Sequence, residues 1–205
     1  MSDEPSRPSP ETRLEPALRS RILELQEAGH EIWDRFDVEV RRAEFHPFVP
    51  SDYSQILGVL LDLRAPGLRF LEWGSATGVI TIMADLLGFQ ACGIEVDAEL
   101  AAVARQLATR FGSGARFATG SFIPSGYKLR ARNRDPRLGT IDQGTSAYPE
   151  LGRPLEDFDL VFGYPWSGEE PIMVDIMRCY GSREARLIIN GGEGVRIYVD
   201  GRRQP

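Results

Sequence analysis

Lysine, cysteine and long apolar runs are what this 205-residue chain has least of. Lys128 is its only lysine, and 24 basic residues face 30 acidic ones, for a net charge of −6. That balance argues against broad electrostatic binding of nucleic acid, although a local basic site stays open. Cys92 and Cys179 are the only cysteines. One falls in an apolar run and the other in a helical pattern, so they read as reduced, buried thiols. A disulfide or a metal pair is not expected, and no metal site is assigned. No apolar run approaches the ~20 residues of a membrane span, and the N-terminus carries no signal-peptide pattern. The expectation is a soluble, cytoplasmic protein with no membrane partner. What is present, 42% apolar and 26% charged residues, suits one globular domain able to bury a substantial core.

Residues 1–12 are mostly Ser, Pro, Glu and Asp with almost nothing to bury, which predicts a disordered tail ahead of a single domain over 13–205. From 14 to about 42, Leu14, Leu18, Ile22, Leu25, Ile32 and Phe36 recur at helical spacing, and Gly29-His30 reads as a break between two helices. Two prolines, Pro47 and Pro50, keep the next stretch from being helical. Ser51 is then placed to cap a helix over 52–63, so that 13–63 forms an N-terminal helical segment. This puts His46, Phe48 and Tyr53 near the entrance to the first strand, on the rim of any pocket there. His46 is either a general base or a loop histidine with a structural hydrogen bond.

The chain's function is most legible in RFLEWGSATGVITIMADLLGFQACGIEVD, residues 69–97. It reads strand, small-residue turn, helix, strand. Gly74-Ser75-Ala76-Thr77-Gly78 stops the first apolar run, 79–87 has helical spacing, and Gly88 follows as a C-terminal cap. Small residues there let the backbone approach a ligand and aim helix N-terminal N–H groups at it. Glu95, ending the second strand, is placed to accept hydrogen bonds from a ribose diol. The dinucleotide pattern GxGxxG fails, because Val79 stands where its third glycine belongs. The alternating pattern acidic-x-Gly-x-Gly-x-Gly is met by Glu72, Gly74, Ala76 and Gly78 with one Gly-to-Ala change.

In these residues the chain resembles the class I S-adenosylmethionine-dependent methyltransferases, over about 51–190. The resemblance implies S-adenosylmethionine as cofactor, held by Glu72, Gly74, Ser75, Ala76, Gly78, Glu95 and Val96, with Ser121 and Phe122 contacting the adenine after the third strand. The segment after the fourth strand, Gly163-Tyr164-Pro165-Trp166, is similar to the [DNS]-P-P-[YFW] motif of amino-methylating members but lacks its side-chain oxygen and first proline, so adenine N-methylation is not implied. Tyr164, Trp166 and Glu169 are the catalytic candidates: Trp166 to stack on a planar or cationic acceptor, and Glu169 or Glu170 to take a proton. Both glutamates equally suit the first turn of the following helix.

Between these motifs, 98–111 is helical, with Asp97 as its economical cap, and 115–119 is a third strand. Residues 123–156 form a long insertion, a lid or a substrate-binding loop, holding Lys128, Arg130, Arg132, Arg134 and Arg137. That cluster suits a phosphate-bearing or nucleic-acid partner, or is a solvated surface diluted by Asp135, Asp142, Glu150 and Glu156. A fourth strand over 157–163, a helix over 169–179, a fifth strand over 185–190 and a hairpin through Asn190-Gly191-Gly192-Glu193-Gly194 complete the chain. The expected fold is α/β: a doubly wound Rossmann-like sheet, order 3-2-1-4-5 plus an antiparallel C-terminal edge strand, with N-terminal helices. That edge is short, and a second copy of the chain can cover it, giving a homodimer. The implied function is transfer of the sulfonium methyl to an acceptor the motifs do not identify. The alternatives are a catalytically inactive S-adenosylmethionine-binding sensor or partner subunit and, disfavoured by the glycine spacing, an NAD-binding oxidoreductase.

Overall fold

Short apolar runs that alternate with helical patterns assemble into a parallel sheet when helices cover both of its faces. The structure, a computed structural model, describes residues 9–41, 48–128, 144–166, 168–192 and 194–205. Its strands are β1 (Arg69–Trp73), β2 (Gln90–Glu95), β3 (Arg116–Thr119), β4 (Leu160–Gly163), β5 (Arg186–Gly191), β6 (Gly194–Val199) and β7 (Arg202–Arg203). They lie in the order β3-β2-β1-β4-β5-β6-β7. β1 to β5 are mutually parallel, with Leu71 in register between Cys92 and Val161. β5 and β6 form the expected antiparallel hairpin, Asn190 opposite Val195, and β7 adds a two-residue antiparallel edge that the sequence did not suggest.

The helices are α1 (Pro16–Phe36), α2 (Tyr53–Leu63), α3 (Val79–Leu86), α4 (Ala98–Arg110), α5 (Tyr148–Leu151) and α6 (Glu170–Tyr180). Side chains alternate across the sheet. Phe70, Phe117, Leu160, Phe162 and Ile188 pack with α1 to α4 on one face. Leu71, Trp73, Ile94, Val161, Leu187 and Ile189 pack with α5 and α6 on the other. Among the described residues no helix is long and apolar enough to cross a membrane.

Several expectations need correction. α1 runs unbroken through Gly29 and His30. Gly29 is instead a packing notch: a Cβ there would lie 2.7 Å from Val79 Cγ2 and 3.1 Å from the Tyr53 ring. Tyr53 is therefore a core residue and not a pocket rim, its ring tilted against His30 with centroids 5.0 Å apart. Phe48 is likewise buried, edge-on to Trp33, while His46 lies outside the described residues. Part of the expected tail is structured: Pro10–Arg13 forms one 3-10 turn seated on α2 through Ser54–Glu11 (2.6 Å) and Arg13–Asp62 (2.7 Å). Asp52, not Ser51, caps α2 by accepting from Gln55 N–H at 2.9 Å. Cys92 is buried, and burial pushes its thiol pKa up, but Cys179 is exposed on α6. Most of the basic cluster of the 123–156 insertion lies outside the described residues; the returning limb is placed from Gly144 onward.

Candidate functional site

The order 3-2-1-4-5 reverses direction between β1 and β4, and at that switch the two connections leave on opposite faces and open a crevice at the carboxyl ends. The turn after β1 is built for it. Gly74 (φ +70), Ala76 (φ +45) and Gly78 (φ +78) are all left-handed. Gly74 N–H and Ser75 N–H both donate to the Ile94 carbonyl at 2.9 Å, and Gly78 N–H closes the loop on Ser75 O at 2.7 Å. Each glycine has its own reason. A Cβ on Gly74 would meet nothing within 4 Å, so the turn's outer side is open to a ligand. A Cβ on Gly78 would lie 2.6 Å from Phe117 and 2.9 Å from Ala104, so that glycine lets α3 start tight against β3 and α4. Ala76 adopts the same left-handed backbone with a methyl group, at a cost of about 1–2 kcal/mol.

Glu95 reaches from the end of β2 to this turn. Its Oε2 accepts from Ala76 N–H at 2.7 Å and its Oε1 from Asp97 N–H at 2.9 Å. Burial raises its pKa against the pull of those N–H groups, and the Asp97 charge adds to the rise. Each oxygen keeps a lone pair, so the carboxyl remains an acceptor for a ligand hydroxyl. Val96 follows, and Asp97 caps α4 as expected, accepting from Glu99 and Leu100 N–H at 2.7 and 3.1 Å.

Other predicted site residues are turned to different work. Glu72 is 5% exposed and points under α3, where Thr81 donates both its N–H (2.9 Å) and its hydroxyl to Oε2. Burial, opposed by the Thr81 hydrogen bonds and reinforced by the Glu95 charge, pushes its pKa up to about 8. It ties α3 to β1 and does not line the crevice. Ser75 is buried against β2: a Cβ on Gly93 would lie 2.7 Å from Ser75 Oγ, which has no hydrogen-bond partner among the described residues. Ser121 is engaged by the returning limb, its N–H donating to Thr145 O (2.8 Å) and its carbonyl accepting from Ala147 N–H (2.9 Å). Phe122 stacks on Trp73 with centroids 4.9 Å apart and belongs to the core.

At the end of β4, Tyr164 is 41% exposed and so available to an acceptor. Glu169 is 2% exposed and caps its own turn, Oε2 accepting from Trp166 N–H at 2.9 Å while its N–H donates to Trp166 O at 3.0 Å. That geometry positions Trp166 and leaves Glu169 poorly placed to take a substrate proton. Glu170 is held elsewhere, by Arg196 at 3.0 and 2.6 Å and by the Tyr198 hydroxyl at 2.5 Å.

Three residues take roles that the sequence reading did not assign to them. Thr81 was one apolar-helix residue among many. Tyr148 accepts from Trp73 Nε1 at 3.0 Å and locks the returning limb under β1. Asn190, read as the end of the fifth strand and the start of a turn, is the penultimate residue of β5, beside Tyr164; it is 6% exposed, and no described residue hydrogen-bonds its carboxamide. Its polar character in an otherwise apolar run was the available signal.

No protein-family model and no curated protein matches the chain. Among solved structures, its fold is similar to a precorrin-6y C5,15-methyltransferase from Geobacter metallireducens GS-15, at 15% identity over 71% of this chain and 66% of that one, TM-score 0.49. It is also similar to an RNA methyltransferase from Salinibacter ruber in complex with S-adenosyl-L-homocysteine, at 17% identity over 69% of this chain and 76% of that one, TM-score 0.49. A tRNA (uracil-54, C5)-methyltransferase from Pyrococcus abyssi, also in complex with S-adenosyl-L-homocysteine, matches at 15% identity over 70% of this chain and 30% of that one, TM-score 0.44.

Proposed function

We propose that this chain is a methyltransferase that uses S-adenosylmethionine, held across the carboxyl ends of β1, β2 and β4. The observation that carries the reading is the acid at the end of β2. Glu95 stands over the turn, buried and with no cationic partner among the described residues. A dinucleotide's diphosphate beside this turn would lie close to the Glu95 carboxyl, which no Lys or Arg among the described residues pairs. A ligand with a ribose diol, an ammonium and a sulfonium but no phosphate meets complementary groups.

The residues fit that ligand. The Glu95 carboxyl takes the ribose hydroxyls with its remaining lone pairs, and the open side of Gly74 lets the amino-acid end lie against backbone. When bound, the cofactor supplies a methyl group on a positively charged sulfur, already a good leaving system. The chain's contribution is alignment and exclusion of water. Tyr164 and the Trp166 turn closed by Glu169 flank the end of β4, where an acceptor would sit, and Asn190 offers a carboxamide beside them.

Calorimetry with S-adenosylmethionine and with NAD tests this. Binding of the first and not the second is expected, with Glu95→Gln weakening it about 10- to 100-fold, the 1.5–3 kcal/mol of a hydrogen bond to a charged group. A well-folded protein that binds NAD, or that binds S-adenosylmethionine equally well without the Glu95 carboxylate, would sink the assignment.

A further inference from the structure

We infer that residues 144–147 form the wall against which the cofactor's nucleobase packs, in place of the residue after β3; this rests on the cofactor reading above. With the ribose at the end of β2, the strand order sends an attached base away from β1 and over the end of β3. Val96, Gly120 and Ser121 stand there, and the returning limb is laid against them. Ser121 and Ser146 form a parallel bridge. Gly120 makes this approach possible, since a Cβ on it would lie 2.6 Å from the Thr145 carbonyl.

The consequence for recognition follows from what is already used. Ser121 is buried, its N–H and carbonyl bond Thr145 and Ala147, and its Oγ accepts from Ile123 N–H at 3.1 Å, which leaves it only a hydroxyl proton to donate. Phe122 is turned into the core against Trp73. The base therefore meets 144–146. Gly144 lies against the ends of β2 and β3: a Cβ on it would sit 3.5 Å from Ser121 N, 3.6 Å from Val96 Cγ2 and 3.7 Å from Gly120 Cα. The wall is anchored from behind, by Tyr148 on Trp73 and by Glu150, which accepts from Thr119 N–H at 3.1 Å and from Arg105 at 3.2 Å.

Gly144→Leu tests the inference, with Gly152→Leu as control. Both glycines are left-handed (φ +80 and +62), but a Cβ on Gly152 meets nothing within 4 Å. The probes are S-adenosylhomocysteine and adenosine, measured by calorimetry. We expect at least tenfold weaker binding of both in Gly144→Leu and an unchanged affinity in Gly152→Leu. Hydrogen–deuterium exchange on the wild type needs no substitution: saturating S-adenosylhomocysteine should slow the amides of 144–147, and methionine alone should not. Equal affinities in the two variants, or unchanged exchange at 144–147 on a wild type that binds S-adenosylhomocysteine, overturns the inference alone. A wild type that binds no S-adenosylhomocysteine overturns the cofactor reading, and the inference falls with it.

Discussion

Replacing Glu72 by Gln should flatten the pH dependence of stability and make the protein more stable in mild alkali. Glu72 is buried and its pKa is raised from an ordinary 4.5 to about 8. Between those two values the native state keeps a proton that the unfolded chain has already lost. Stability is thus fully present below pH 4.5 and falls as pH rises toward 8, by about 1.4 kcal/mol per pH unit. From pH 5 to pH 8 the loss is about 4 kcal/mol, a large part of a typical folding free energy. Gln keeps an oxygen for the Thr81 N–H and hydroxyl and carries no titrating proton. Glu95 is raised too, but it titrates in both proteins and largely cancels in their difference. Urea unfolding followed by tryptophan fluorescence at several pH values from 5 to 9 measures that difference. The two proteins should be similar at pH 5, with the variant ahead by several kcal/mol at pH 9. Parallel profiles across the range would mean that Glu72 is ionised in the native state, and the account of it as a neutral tie between α3 and β1 would be wrong.

Two further outcomes follow from single contacts. Gly78→Ala combines a left-handed backbone with a methyl group 2.6 Å from the Phe117 ring; a loss of about 2–4 kcal/mol is expected in urea unfolding, the sum of strain and overpacking. Arg196→Met breaks the bidentate pair with Glu170, whose pKa burial would raise but which Arg196, Tyr198 and the nearby charges bring down on balance. A carboxyl with a lowered pKa stabilises above its unfolded value and loses that contribution as pH falls, so the variant should be less stable than wild type at pH 7 and indistinguishable from it near pH 3 in thermal melts.

The chain's local chemistry was open to reading. Apolar runs stopped by Gly74 and Glu95, the helical spacing after Gly78 and the acid at the end of the second strand specify strand, turn, helix and strand through neighbours a few residues apart. The parallel order follows from that alternation and from the handedness of crossover connections. The Asp97 cap and the hairpin after Asn190 were legible for the same reason.

What sequence left open were choices made between residues far apart in the chain. Gly29 broke a pattern on paper, but in the fold it is the notch that receives Val79 and Tyr53. Glu72 and Glu95 are both acids at strand ends, and spacing treats them alike. Only the packing of α3 turns one inward to Thr81 while the other reaches the turn at Ala76. Ser121 was free to meet a base until Thr145 and Ala147 took its backbone groups. In each case a side chain or backbone group has several partners within chemical reach, and the tertiary structure decides among them because buried polar groups must be paired with whatever the fold brings near.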